Sequence, residues 1–241
     1  MTPCLSQYLI EGSRSVHTPT VSRRSLAKGT IWSAPMVLAS VAAPAIAASA
    51  EPVTMLWSGF PRGSANRIAE PASQAVGGVK METVLTRQRT LVHVGRNWTP
   101  TSDGRLEMRS NRVNLSDSEQ TVALKFSMPV TDVSLTIEDL DRDRGLTRDF
   151  QDEVYIPSDA AMFTQHEAGS RVIGRGSPSA PFRAADDVFG DVNGPDYAVT
   201  LRWAGPVRAI TIGYRQGVLA NLSTTPTVWF SPVTFTPPAG S

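Results

Sequence analysis

Between residues 138 and 153 the sequence gathers Glu138, Asp139, Asp141, Asp143, Asp149, Asp152 and Glu153 against three arginines, Arg142, Arg144 and Arg148. The alternation of Asp139, Asp141 and Asp143 can point several carboxylate oxygens at one hard cation, the ligand set that calcium prefers. Those three are the first candidate metal ligands, Asp149 and Asp152 are the reserves, and calcium is the one cofactor the sequence suggests. The spacing is not that of an EF-hand, because Arg144 takes the position of the loop glycine and Phe150 that of the bidentate glutamate. A plainer reading stands beside it, a solvated loop whose arginines pair with its acids and add little stability. A second acidic stretch, Asp186-Asp187-Val188-Phe189-Gly190-Asp191-Val192-Asn193-Gly194-Pro195-Asp196, has the Gly, Asn and Pro content of a turn first and of a ligand site second.

No other pattern of reactive residues carries weight. The sequence holds no G-x-S-x-G elbow, P-loop or G-x-G-x-x-G turn. His166-Glu167 starts like a zinc-protease motif, but position 170 is Ser. His93 sits in an apparent strand, where a histidine is more often structural than catalytic. Neither a triad assembled from distant residues nor a glycosidase-type pair of carboxylates has positive support. Trp98, in a Gly, Asn and Pro context, either stacks on a sugar ring or caps the core. Trp203 alternates with core residues and is expected to be buried.

The elements that must position these groups are strands. Val53–Trp57, Val79–Leu85, Arg89–Val94, Arg112–Leu115, Gln120–Ser127, Asp132–Asp139, Glu153–Ile156, Tyr197–Ala204, Val207–Arg215 and Thr227–Phe235 carry β-branched and aromatic residues between Gly, Pro, Asn and Asp breaks. Only Asn66–Val76 and Ser158–Gln165 offer a turn or two of helix, and Pro71 interrupts the first. The fold class is all-β: an antiparallel two-sheet sandwich, the jelly roll among its forms, with little helix outside the N-terminal segment.

One pattern occurs twice. Val122, Leu124 and Phe126, then Pro129-Val130, then Val133, Leu135 and Ile137 are matched 77 residues later by Val199, Leu201 and Trp203, Pro206-Val207, and Ile210, Ile212 and Tyr214. Each copy reads as a strand, a Pro-Val turn and a return strand. The apolar positions share a buried face, and Lys125, Ser134 and Thr136, or Thr200, Arg202 and Thr211, lie on a solvated one.

The N-terminus has the make-up of an export signal. Arg23-Arg24 stands between Ser22 and Ser25-Leu26-Ala27-Lys28, followed by a charge-free run from Gly29 to Ala50 and a small-x-small site at Ala45-Ile46-Ala47. The expected organisation is a twin-arginine signal peptide over 1–47 and a single sandwich domain over 48–241. Residues 1–20 precede the arginine pair by an unusual distance, and Val21 is an alternative start. An uncleaved membrane anchor is the poorer reading of the same run, given Pro35, Pro44 and its many alanines. Cleavage would remove Arg14, Arg23, Arg24, Lys28 and Glu11, taking the formal charge from +1 to −2, together with Cys4, the one cysteine.

The segment Phe126-x-x-Pro129-Val130-x-x-Val133-x-Leu135-x-Ile137-x-Asp139-x-Asp141, with Asp152-x-Val154, Val172-x-Gly174-x-Gly176 and the second Pro-Val segment, resembles secreted actinobacterial β-sandwich modules that follow a signal peptide. The resemblance covers roughly 120–215 and implies a fold and an extracellular address, not an activity.

Function follows from what these features exclude and allow. The 41% apolar and 19% charged composition suits a packed core, and a net charge of +1 excludes nucleic-acid binding driven by bulk positive charge. The expectation is an exported, non-enzymatic module that binds a polymer, glycan or protein at the bacterial cell envelope, free of the membrane once the signal is removed. A secreted polysaccharide hydrolase using carboxylates from 138–153 or 186–196 is the alternative, and a structural envelope component assembling through sheet edges is a third. Thr234–Ser241 shows no sortase-type motif or apolar tail.

Overall fold

The run from Gln120 to Glu138 forms a single strand of 19 residues. The structure, a computed structural model, describes residues 50–63, 66–87, 98–110, 119–144, 149–188, 194–217 and 226–241. All belong to one unit spanning Ile46–Ser241. They contain fifteen strands, two 3-10 turns (Trp57–Gly59 and Pro195–Tyr197) and no α-helix. No helix among them is long and apolar enough to cross a membrane. The strands are β1 (Val53–Met55), β2 (Ala72–Val76), β3 (Val79–Arg87), β4 (Thr99–Pro100), β5 (Leu106–Arg109), β6 (Gln120–Glu138), β7 (Arg142–Arg144), β8 (Asp149–Tyr155), β9 (Gln165–Ala168), β10 (Val172–Ile173), β11 (Arg183–Ala184), β12 (Val199–Trp203), β13 (Val207–Gln216), β14 (Thr227–Phe230) and β15 (Val233–Thr236).

The fold is an antiparallel β-sandwich, and β6 belongs to both of its layers. Its first half lies between β3 and β13, in the order β2-β3-β6-β13-β8-β7. Its second half lies between β12 and the pair β14 and β15. That layer extends through β12 to β9, through β15 to β1, and through β14 to β5 and β4. The strand passes between layers around Pro129-Val130, where a missing backbone donor costs no ladder bond. Burial changes parity there: Val122, Leu124 and Phe126 point inward before it, and Val133, Leu135 and Ile137 after it, all at most 5% exposed. Asp132, at φ 52°, takes up the change.

The second copy of the pattern behaves alike. β12 and β13 do not pair with each other, and each pairs with a different half of β6. Val199–Trp203 lies opposite Ile137–Val133, and Val207 lies opposite Val130. The two copies are therefore antiparallel partners rather than two hairpins, and the expectation of a Pro-Val turn is corrected. The predicted faces hold: Val199, Leu201, Trp203, Ile210, Ile212 and Tyr214 are at most 2% exposed.

Other expectations shift locally. Val53–Trp57 keeps only its first three residues as strand, and Thr227–Phe235 breaks at Ser231-Pro232. Neither helical suggestion survives. Asn66–Val76 ends in β2, which Gly77 and Gly78 (φ 55° and 73°) join to β3 in a two-residue hairpin turn of the kind that needs left-handed backbone. Ser158–Gln165 is loop until β9 begins. Arg89–Val94, with His93, and Arg112–Leu115 lie outside the described residues. Trp98 caps the core at 1% exposure, which removes it as a sugar-stacking surface.

Candidate functional site

The acids at the end of β6 divide into a buried centre and a surface groove, with Glu138 and Asp139 on opposite sides of the boundary. Beyond Glu138 the chain turns through Asp139 at φ 64°, a conformation that aspartate tolerates better than most residues. Leu140 is fully buried and donates its backbone N–H to Tyr197 O at 3.0 Å. Asp141 O accepts Asp152 N at 3.0 Å, so the turn is tied to β8 before β7 begins. These bonds bring Asp139, Asp141 and Asp152 together in the interior, at 4%, 6% and 0% exposure.

Asp152 is held by β13. Tyr214 Oη donates to its Oδ1 at 2.6 Å and Gln216 Nε2 to the same atom at 2.8 Å. Oδ2 is buried and receives no such donor. Burial pushes the Asp141 carboxyl far above the usual carboxylate range, and the charge of Asp152 beside it adds to the rise. Asp152 is raised less, to about 6, since burial is countered by hydrogen bonds from Asp141, Tyr214 and Gln216. Burial, then the charge of Asp152, likewise holds the Tyr214 phenol well above its ordinary value. Asp141 and Asp152 therefore hold a proton between them at neutral pH, the behaviour of two acids that cannot both ionise in one dry site.

Of the five candidate metal ligands, the structure thus unites Asp139, Asp141 and Asp152. Asp143 lies half-buried on β7 opposite Phe150, and Asp149 opens β8 with its side chain outside the described region. Among the described residues no group of three or more His, Cys, Asp or Glu side chains is arranged to hold a metal ion. Two of the loop's arginines have partners outside the acids of 138–153, and Arg148 lies outside the described residues. Arg142 turns to Asp187 at 2.7 Å and Arg144 to Gln151 Oε1 at 3.0 Å.

On the solvent side of the same strand end lies a groove of about 470 Å³. Its floor is a row across three strands: Thr136 on β6 faces Thr200 on β12, which faces Glu167 on β9. The two threonine hydroxyls are 2.8 Å apart. Glu138 stands two residues along β6 on the same face, and the turn carrying Gly194 and Asp196 forms the opposite wall. That wall is stitched down by Gly169 N to Ala198 O at 2.8 Å, Arg171 N to Asp196 O at 3.0 Å and Ser170 Oγ to Asp196 Oδ1 at 2.7 Å. Beyond Glu138, Arg105 donates to it at 3.0 Å and lies 4.9 Å over the Trp229 ring. Trp229 is half-buried on the neighbouring strand, directly opposite Glu138.

The sequence pattern placed Thr136 and Thr200 on a solvated face and Asp196 in a turn. It singled out Glu167 only as part of a failed zinc motif. Nothing linear in the chain announces that β9 lies beside β12, so the groove as a unit was missed. Compared with known proteins, the chain matches no family model, no curated protein and no solved structure.

Proposed function

We propose that the mature chain is an exported, non-enzymatic β-sandwich that binds a glycan of the bacterial cell envelope in the groove between β6, β12, β9 and the Gly194–Ala198 turn. The observation that carries this reading is the groove itself. Its volume falls within the range of about 300–1,000 Å³ usual for small-ligand sites. Its polar groups, two threonine hydroxyls and three carboxylates, suit the hydroxyls of a sugar, and backbone hydrogen bonds fix its wall in advance, which lowers the ordering cost of binding. Export is supported by the Arg23-Arg24 segment and the small-residue site before Ala48.

The groove also bears on the choice between binding and hydrolysis. A glycosidase needs a carboxyl whose proton affinity is raised to serve as general acid. Among the described residues, the buried carboxyls Asp141 and Asp152, whose proton affinity is raised, do not line the groove. Glu138 is engaged by Arg105 and Asp196 by Ser170. A glycan array paired with a hydrolase screen on the purified chain from Ala48 tests the reading. Retention without release of sugar is expected. Turnover that Glu138→Gln or Glu167→Gln abolishes would make the protein a hydrolase, and failure to retain any glycan would end the proposal.

The buried acids support a separable reading, narrower than the five-residue one: calcium replaces the proton between Asp141 and Asp152, with Asp139 as third ligand. The unmatched Oδ2 of Asp152 and the all-oxygen donor set favour it. The three carboxyls would have to draw together, since they are not spaced as a ready site.

A further inference from the structure

We infer that the groove selects glycans that carry free ammonium groups, as in a polymer of unacetylated amino sugars; this rests on the glycan reading above and names its ligand class. Among the described residues Glu138, Glu167 and Asp196 line the groove, and no lysine or arginine does. Arg105, at the Glu138 end, does not neutralise all three, and Arg202, two residues beyond Thr200 on the exposed face of β12, does not line the groove. The charge of Arg105 is divided between Glu138 at 3.0 Å and Asp103 at 2.7 Å, and its plane is engaged with Trp229. Glu167 and Asp196 have no ion pair among the described residues. A site with that surplus of negative charge repels acidic polymers and gives neutral ones hydrogen bonds only. An ammonium group gains both hydrogen bonds and Coulomb attraction.

The geometry favours a sugar over a basic peptide. The threonine row offers hydroxyls that can donate as well as accept, matching a ring bearing several hydroxyls, whereas an ammonium alone needs only acceptors. Small residues, Ala168, Gly169, Gly194 and Ala198, line the groove, so a flat ring can approach the backbone. Gly169 is packed against the carbonyls of Pro195 and Asp196, which closes that end. Gly194 is open, with nothing near the position a Cβ would occupy, and its φ of −98° is ordinary extended backbone. A side chain added there, on the groove's lining, meets no neighbouring atom that would strain the fold.

The test compares a β-1,4-linked glucosamine tetramer, its fully N-acetylated counterpart and tetralysine by calorimetry on the mature chain. The free-amine sugar should bind about tenfold more tightly than the acetylated one at low salt, and the gap should narrow at high salt. Glu167→Gln should remove most of that gap, and Gly194→Tyr should weaken both sugars, with melting temperatures unchanged. Equal affinity for the two sugars would overturn the ammonium inference and leave the glycan reading standing. Binding of neither sugar would remove both. Tetralysine binding as tightly as the amino sugar would show that the groove reads charge alone, and would also overturn the inference.

Discussion

At the scale of single residues, Asp141 and Asp152 make the buried centre sensitive to pH. Both acids have folded-state pKa values above the 3.8 of an unfolded aspartate, with Asp152 at about 6 and Asp141 higher still. As pH rises past 3.8 the unfolded chain gives up these protons while the folded one keeps them. Stability from this centre is therefore highest in acid and falls as pH climbs toward neutrality, by at most about 1.4 kcal/mol per pH unit for each proton. The mature protein should melt higher at pH 5 than at pH 7.5. Asp141→Asn, which keeps a donor toward Asp152 but has no proton to lose on unfolding, should raise the neutral-pH melting temperature and flatten the slope. Calcium offers a second way to compensate the charge. Millimolar calcium should raise melting over chelator at pH 7.5, by up to about 2.7 kcal/mol at a hundredfold excess over Kd. That gain should vanish at pH 5, where the proton holds the site, and shrink in Asp141→Asn. Absence of both a melting shift and a heat of binding would leave the proton as the centre's only partner.

At the scale of elements, the alternation of side chains was legible and the connectivity was not. Leu135 and Ile212 were placed on buried faces from spacing alone, because a strand's two-residue period shows in the sequence whichever strand it pairs with. Whether Pro129-Val130 turns the chain back or lets it run straight depends on which strands lie alongside. That is settled by β3, β13, β12 and β15, all distant in sequence. The Pro129-Val130 pair invited the hairpin reading, since a strand crossing between layers and a tight turn both interrupt alternation. Short strands such as β4, β10 and β11 carry too few residues for a pattern, whereas Gly77-Gly78 between Val76 and Val79 is a two-residue hairpin signature that the sequence does carry. The groove was less legible still: its threonines could be assigned a face, but the partners of that face come from β9 and the Gly194–Ala198 turn. The register itself can be tested by denaturant melts. Leu135→Ala or Ile212→Ala should cost about 2–5 kcal/mol through the cavity left behind. Lys125→Ala, on the exposed face, should cost about 0.5 kcal/mol or less. Comparable losses at both sets would mean that the faces are assigned wrongly.

At the scale of the whole molecule, sheet edges and address decide what the protein can meet. The outermost strands are short: β4 has two residues, β7 three, β9 four and β2 five. Short edges, with Arg142 and Arg144 on β7 and Glu167 on β9, offer poor templates for adding a second copy. The mature chain should run as a monomer in light scattering at micromolar concentration; a stable oligomer would favour a structural envelope component instead.

The N-terminal segment carries the features of an export address. An arginine pair ahead of a soft, alanine-rich, charge-free run and a small-x-small site is the composition that the twin-arginine route accepts, because its apolar segment is less greasy than a membrane anchor. The sandwich gives that route a reason: a cysteine-free domain whose stability comes from packing gains nothing from an oxidising compartment and can be exported already folded. Cleavage after Ala47 should leave a chain beginning at Ala48 in the culture supernatant, readable by N-terminal sequencing. Replacing both Arg23 and Arg24 with Lys should stop its appearance there and leave precursor inside the cell. Secretion unchanged by that replacement would assign the signal to the general pathway, and a full-length chain retained in the membrane fraction would show that the segment is an anchor. In that last case the groove would work at the membrane surface rather than in free solution, and any envelope polymer it binds would have to lie within reach of the residues that join the anchor to β1.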